Sequence, residues 1–85
     1  PRAKQAMALP ADAEPLFEAL RAWRGEVARS HGVPAYVIFH DATLREIALA
    51  RPESLDELGR INGVGARKLQ AYGEDILAAV ARQAA

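Results

Sequence analysis

Eighty-five residues, eleven basic and eleven acidic side chains and no cysteine already bound what this chain is. A chain of this length supports one small core that buries only about 60% of its unfolded surface, and the lack of cysteine excludes disulfides and thiolate metal sites. Charges that cancel exclude a field strong enough to draw the whole domain onto nucleic acid or an anionic membrane, so any such contact has to be local.

Much of the apolar half of the composition is alanine, which leaves Leu, Ile, Val, Phe and the single Trp to carry the packing. No stretch reads as a signal peptide or is apolar for long enough to cross a membrane, and cysteine usage fits a reducing compartment, so a soluble cytoplasmic protein is expected. A first residue that is Pro rather than Met suggests a module excised from a larger protein.

Residues 1–11, PRAKQAMALPA, show no apolar period and are expected to form a linker or tail, with residues 12–85 as the folded domain. Asp12 is placed to cap a first helix, Glu14 suits the positive end of its dipole, and Pro15 is tolerated in a first turn whose amides are unpaired anyway. Leu16, Leu20, Trp23 and Val27 then recur as one core-facing stripe. The helix is expected to stop at His31-Gly32, where glycine adopts the left-handed conformation.

Val33 to Glu46, VPAYVIFHDATLRE, is the most distinctive stretch. Pro34 drives Val33 out of the α region, and Tyr36-Val37-Ile38-Phe39 favours an extended backbone but has no second strand to pair with. The expectation is an extended apolar connector through which no helix runs. Asp41 and Thr43 then supply acceptors for a second helix that buries Leu44, Ile47 and Leu49 and ends before Pro52. Ser54 and Glu57 have the spacing of a reciprocal capping box for a short third helix carrying Leu55 and Leu58. Ile61 to Gly65 turns the chain on two glycines that supply positive φ or close backbone approach. The last helix, over 66–82, aligns Leu69, Ile76 and Val80, with Tyr72 and Leu77 at its flanks. No repeat and no convincing strand is present, which predicts an all-α fold of four to five helices.

Catalytic chemistry has little to build on. His31 and His40 lack helical i, i+4 spacing and cysteine partners. The adjacent carboxylates Asp56-Glu57 and Glu74-Asp75 point about 100° apart on a helix and read as solvated faces or as a protein-docking surface. There is no nucleophile elbow and no phosphate loop, so no enzyme is expected in this chain and no metal or cofactor site. Binding features are better represented. The Gly63-Val64-Gly65 turn exposes amides at a helix start, followed by Arg67 and Lys68, an arrangement that attracts phosphate and that equally lets Val64 pack while the helices cross. Tyr36, in an irregular segment, either packs in the core or stays exposed to stack on an unpaired base, a contact of about 1 to 3 kcal/mol. Arg21 and Arg24 lie on the flank of Phe17 as a small basic patch or an ordinary solvated face.

Taken together, LFEALRAWR, VPAYVIFHDATLREIA, RPESLDEL and INGVGARKLQAYGEDIL resemble the HRDC domain, the helicase and RNase D C-terminal module, over residues 16–82. The resemblance implies an orthogonal bundle of four to five helices with a nucleic-acid-binding and regulatory role. It is stronger to the versions found in RecQ-type DNA helicases, where the turn is followed by R-K-L and then Y-G, than to those of RNase D, whose partner is RNA. What it implies for this chain is weak contact with single-stranded or partial-duplex DNA through Tyr36, with Arg21, Arg24, Arg67, Lys68, Gly63 and Gly65 as the other candidates, and a monomeric module acting beside the other domains of its helicase. Asp56, Glu57, Glu74 and Asp75 are the candidates for docking on that helicase or on a partner. The implied parent would act on the nucleoid and bind ATP and Mg²⁺, with Zn²⁺ as a further candidate, whereas no residue of this chain is suited to hold any of them. Two features set the chain apart from basic members of the family: its balanced charge, and His40 where Ser or Asn is common.

Overall fold

A computed structural model describes residues 9–84, so Arg2 and Lys4 of the expected tail lie outside the described residues. Within them the chain is all helical. A short 3-10 turn over Ala11–Ala13 leads into α1 (Glu14–His31), followed by α2 (Ala35–Ile38), α3 (Asp41–Ala50), α4 (Leu55–Gly59) and α5 (Ala66–Ala84). Helix α1 is the hub, packing on α2, α3 and α5, and α4 rests on α5.

The start of α1 is built differently from the sequence expectation. Asp12 makes no side-chain cap, Ala13 takes the capping position, and Pro15 falls in the first turn, as its missing N–H allows. What Asp12 offers instead is its backbone carbonyl, which accepts a 2.7 Å bond from Nη2 of Arg51. Leu9, within the expected tail, packs against the core. At the other end Gly32 (φ 66°) closes α1, with the Val33 amide donating to the Ala28 carbonyl at 3.0 Å and the Gly32 amide to Arg29 at 3.2 Å. This is a Schellman closure, and its left-handed residue is most cheaply a glycine.

Leu16, Leu20, Leu44, Ile47, Leu58 and Ile76 are fully buried, each removing apolar area worth about 1.5–3 kcal/mol. Trp23 and Val27, expected in the central stripe, are only partly buried, and Phe17, Arg24 and Ala28 share the inward face with the leucines. Leu49 is half exposed at 50%, because it follows the buried Ile47 and Ala48 around the outer side of α3. Leu55 is also largely exposed, its side chain lying over Gly73. α3 ends on Arg51 in the left-handed region (φ 48°) just before the buried Pro52, as the bar on helix before proline requires. One arm of the capping box forms, the Glu57 amide donating to Ser54 Oγ at 3.1 Å. The other arm reaches one residue further back, Glu57 Oε1 accepting from the Glu53 amide at 2.9 Å.

The connector departs from the extended expectation. Pro34 is extended (φ −63°, ψ 152°), but Ala35–Ile38 form one helical turn before Phe39 returns to extended geometry. Pro34 forbids helix only to the residue before it, and as a capping residue its carbonyl accepts from the Val37 amide at 3.0 Å. Of the two turn glycines, Gly63 alone has positive φ (96°). A Cβ there would overlap Oγ1 of the buried Thr43 and press on its Cβ and Cγ2 at 3.2 Å, whereas Gly65 faces open space.

Gly63→Ala therefore meets both a strained φ and a clash, and is expected to cost about 2–4 kcal/mol in urea denaturation. Adding Thr43→Ala should recover the clash and leave the strain, whereas Gly65→Ala should shift the midpoint by less than about 0.5 kcal/mol.

Candidate nucleic-acid interface

The one-turn helix α2 is held at both ends. Its last carbonyls, on Val37 and Ile38, accept from Nζ of Lys68 on α5 at 2.7 and 2.5 Å, satisfying groups that a helix end leaves without partners. The same ammonium lies 5.3 Å from the centre of the Phe39 ring. Phe39 is the aromatic that turns inward, 6.1 Å from both Trp23 and Tyr72. Tyr36 turns outward, 61% exposed, its ring stacked at 6.0 Å and 23° on the imidazole of His40. The exposed aromatic and the buried one are thus three residues apart in the same connector.

Arg24 does not lie on a solvated flank. It is 7% exposed, and its Nη1 donates to the Phe39 carbonyl at 2.9 Å and to Oδ1 of Asp41 at 2.7 Å. Period explains the difference: Leu20, Arg24 and Ala28 follow at steps of four and share the buried face of α1. The hydrogen bond from the Arg24 guanidinium holds the Asp41 carboxyl below the usual carboxylate range; burial opposes it, and the charges of Arg24, Arg21 and Arg45 add smaller lowering effects. Asp41 itself is the first residue of α3, and His40 takes the capping position expected of Asp41.

Arg21 is exposed, 3.6 Å from Glu18, and stands over the Phe17 ring at 5.8 Å while Arg45 covers it at 5.4 Å. Arg67 is exposed at the start of α5 and makes no ion pair among the described residues. With Lys68 it lines a groove beside Val37 and Ile38. Gly65 lies just ahead of Arg67, its carbonyl accepting the Leu69 amide at 2.9 Å, and Gly63 is committed to packing on Thr43. Of the acidic candidates, Asp56 pairs with Arg60 at 2.6 Å and Glu57 caps Glu53, while Glu74 and Asp75 are exposed on α5. Sequence reasoning weighed His40 only as a metal ligand and as a departure from the family pattern, and passed over Arg45. His40 lies beyond α2, after the extended Phe39, so its stacking on Tyr36 follows from how the chain leaves that helix and carries no periodic signal in the sequence. No group of three or more His, Cys, Asp or Glu among the described residues is arranged to hold a metal ion, and no described helix is long and apolar enough to cross a membrane.

The HRDC domain model matches residues 13–80. The chain belongs to the HRDC domain family. A solved structure, D. radiodurans RecQ HRDC domain 3, superposes with a TM-score of 0.78 at 40% identity, covering 86% of this chain and 95% of that one. The all-helical fold expected from the resemblance is therefore the fold of the domain. Among curated proteins, this HRDC domain is 42% identical over 65 residues to the ATP-dependent DNA helicase RecQ of Haemophilus influenzae, 76% of this chain and 10% of that protein. It is 48% identical over 58 residues to RecQ of Bacillus subtilis, 68% of this chain and 10% of that protein. It is 47% identical over 64 residues to the ATP-dependent DNA helicase UvrD2 of Mycobacterium tuberculosis, 75% of this chain and 9% of that protein. The chain thus spans about a tenth of the length of these relatives.

Because Arg24 is a packing residue of this HRDC domain, Arg24→Met should preserve volume but leave the Phe39 carbonyl unpaired, costing about 2–3 kcal/mol of stability. Its partner gives a pH signature. A carboxyl whose folded pKa is depressed stabilises above its unfolded pKa, and the contribution fades as pH falls through the folded value. Urea midpoints should therefore fall below about pH 4, and Asp41→Asn should remove part of that fall while lowering the midpoint at pH 7.

Proposed function

We propose that this HRDC domain is an accessory, non-catalytic domain of an ATP-dependent DNA helicase that contacts single-stranded or partial-duplex DNA weakly and adjusts which DNA structures the motor engages. The observation that carries the reading is the exposed Tyr36, presented on a one-turn helix clamped to the bundle by Lys68. A ring on a clamped helix has little backbone freedom left for base stacking to remove. Arg67 and the amides after Gly65 supply phosphate contacts beside Val37 on the same one-turn helix, and Arg21 and Arg45, both over the Phe17 ring, supply further positive charge. The helicase names of the relatives support a helicase parent over an RNase D. Identity of similar size to RecQ and UvrD2 leaves both types of helicase as parents, a wider choice than the sequence motifs implied.

Few free cations are available to a strand. Lys68 is tied to two carbonyls, and Arg24 is buried. With two to three phosphate contacts, binding should fall with a log-log salt slope of about −1.8 to −2.7, roughly 10- to 40-fold between 50 and 200 mM salt. The domain then matters through its tether, which raises its local concentration on DNA the motor already holds. A second reading, docking on the helicase core, is favoured by the exposed Glu74 and Asp75 and the absence of net charge.

Titration of a fluorescent oligothymidylate at 50 mM salt should give weak saturable binding that Tyr36→Ala reduces about tenfold without change in helicity. Arg67→Ala should flatten the salt slope by about one. No binding at 50 mM salt, together with altered unwinding by the intact enzyme on charge reversal at Glu74 or Asp75, would replace DNA contact by docking.

A further inference from the structure

The groove between α2 and α5 encloses about 620 Å³, with Val33, Val37, Ile38, Ala71 and Tyr72 forming its apolar lining. Arg67 and Lys68 supply its charge, His31 and Gln70 are its other polar groups, and no carboxylate lines it. Val37 is 45% exposed, a β-branched side chain left open on a helix of four residues. Tyr36 is not part of the lining. Neighbours on a helix point about 100° apart, so Val37 enters the groove while Tyr36 turns away to His40.

The polar groups of the groove suit a carboxylate better than a base edge. The carbonyls of Val37 and Ile38 are each already engaged by the Lys68 ammonium, whose charge makes them poorer acceptors for base amino groups. Beside the neutral amide of Gln70, what stays open is positive: one N–H of the Lys68 ammonium and the guanidinium of Arg67. A volume of this size lies in the range of apolar pockets that accept a few side chains at once. Residues 1–8 of the chain itself, with Arg2 and Lys4 and no acid, carry the wrong sign of charge for it.

We propose that this groove docks a short segment of a partner protein in which one or two large apolar side chains are flanked by aspartate or glutamate. The apolar side chains lie against Val37, Ala71 and Tyr72, and a carboxylate pairs with Arg67. Such a site does not use Tyr36, but it shares Arg67 with the strand contact of the proposed function, so an acidic segment and a DNA strand compete for that one guanidinium while their other contacts stay separate.

The test uses the 85-residue chain and a fluorescein-labelled peptide in which adjacent leucine and phenylalanine are flanked by aspartates, beside the same peptide with lysines in place of the aspartates. The aspartate peptide should bind saturably by anisotropy and the lysine peptide should not. Ala71→Glu, which fills the groove and reverses its field, and Arg67→Glu should each weaken binding at least about tenfold with unchanged helicity, and Tyr36→Ala should leave it unchanged. Failure of the aspartate peptide to bind, equal binding of both peptides, or indifference to Ala71→Glu and Arg67→Glu overturns the proposal. Displacement of the peptide by oligothymidylate, with Tyr36→Ala weakening both ligands, also overturns it and gives the groove to nucleic acid. Because the DNA titration turns on Tyr36 and this one on Ala71, either can fail while the other holds.

Discussion

A single nitrogen on the first helix ties the connector to the helix that follows it. Nη1 of Arg24 bonds the Phe39 carbonyl, where the connector ends, and the Asp41 carboxylate, where α3 begins. A charge taken so far from water costs several kcal/mol unless it is paired and hydrogen-bonded, so the buried guanidinium penalises any arrangement in which the connector lies elsewhere. Its Nε is buried without a partner, an uncompensated cost that the two bonds from Nη1 and the packing around the stem have to offset. The pair thus contributes more to where the chain goes than to how stable the fold is.

With the connector placed, α2 can exist. A helix of one turn has no stability of its own, because nucleation fixes several dihedrals for one hydrogen bond. Here the ends are secured from outside, by Pro34 at the start and by Lys68 across the last carbonyls. Phe39 then anchors the segment among Trp23 and Tyr72. This division of labour leaves the other aromatic, Tyr36, free to face solvent in a fixed place. The outward ring and the open Val37, on which the two proposals rest, are consequences of how a marginal helix is held down.

The same contacts explain why formal charge overstates what a polyanion would meet. Three of the basic side chains spend their hydrogen bonds within the protein: Arg24 on Phe39 and Asp41, Lys68 on Val37 and Ile38, and Arg51 on Asp12. Others stand in exposed pairs such as Arg29 with Glu26 and Arg60 with Asp56, which contribute little to stability and reduce the local positive field. Against that background the groove rim stands out because no carboxylate lines it, whereas Arg21 and Arg45 over the Phe17 ring have Glu18 and Asp41 near them.

What the amino-acid sequence determined by itself was local and periodic. The apolar spacing of Leu16 and Leu20, of Leu44 and Ile47, and of Ile76 and Val80 marked the long helices. Pro15, Gly32, Pro52 and Ser54 marked their ends, since capping and φ restriction depend on near neighbours in the chain. Motif spacing was enough to name the family. Tertiary structure decided whatever needs a partner from another element. The turn at Ala35–Ile38 exists because Lys68, thirty residues on, closes it, and no window of local sequence contains that contact. Arg24 is buried, Gly63 is obligatory beside Thr43, and of two nearby aromatics Phe39 went in while Tyr36 stayed out. Each of these turns on which surface meets which, and residue type alone does not fix that.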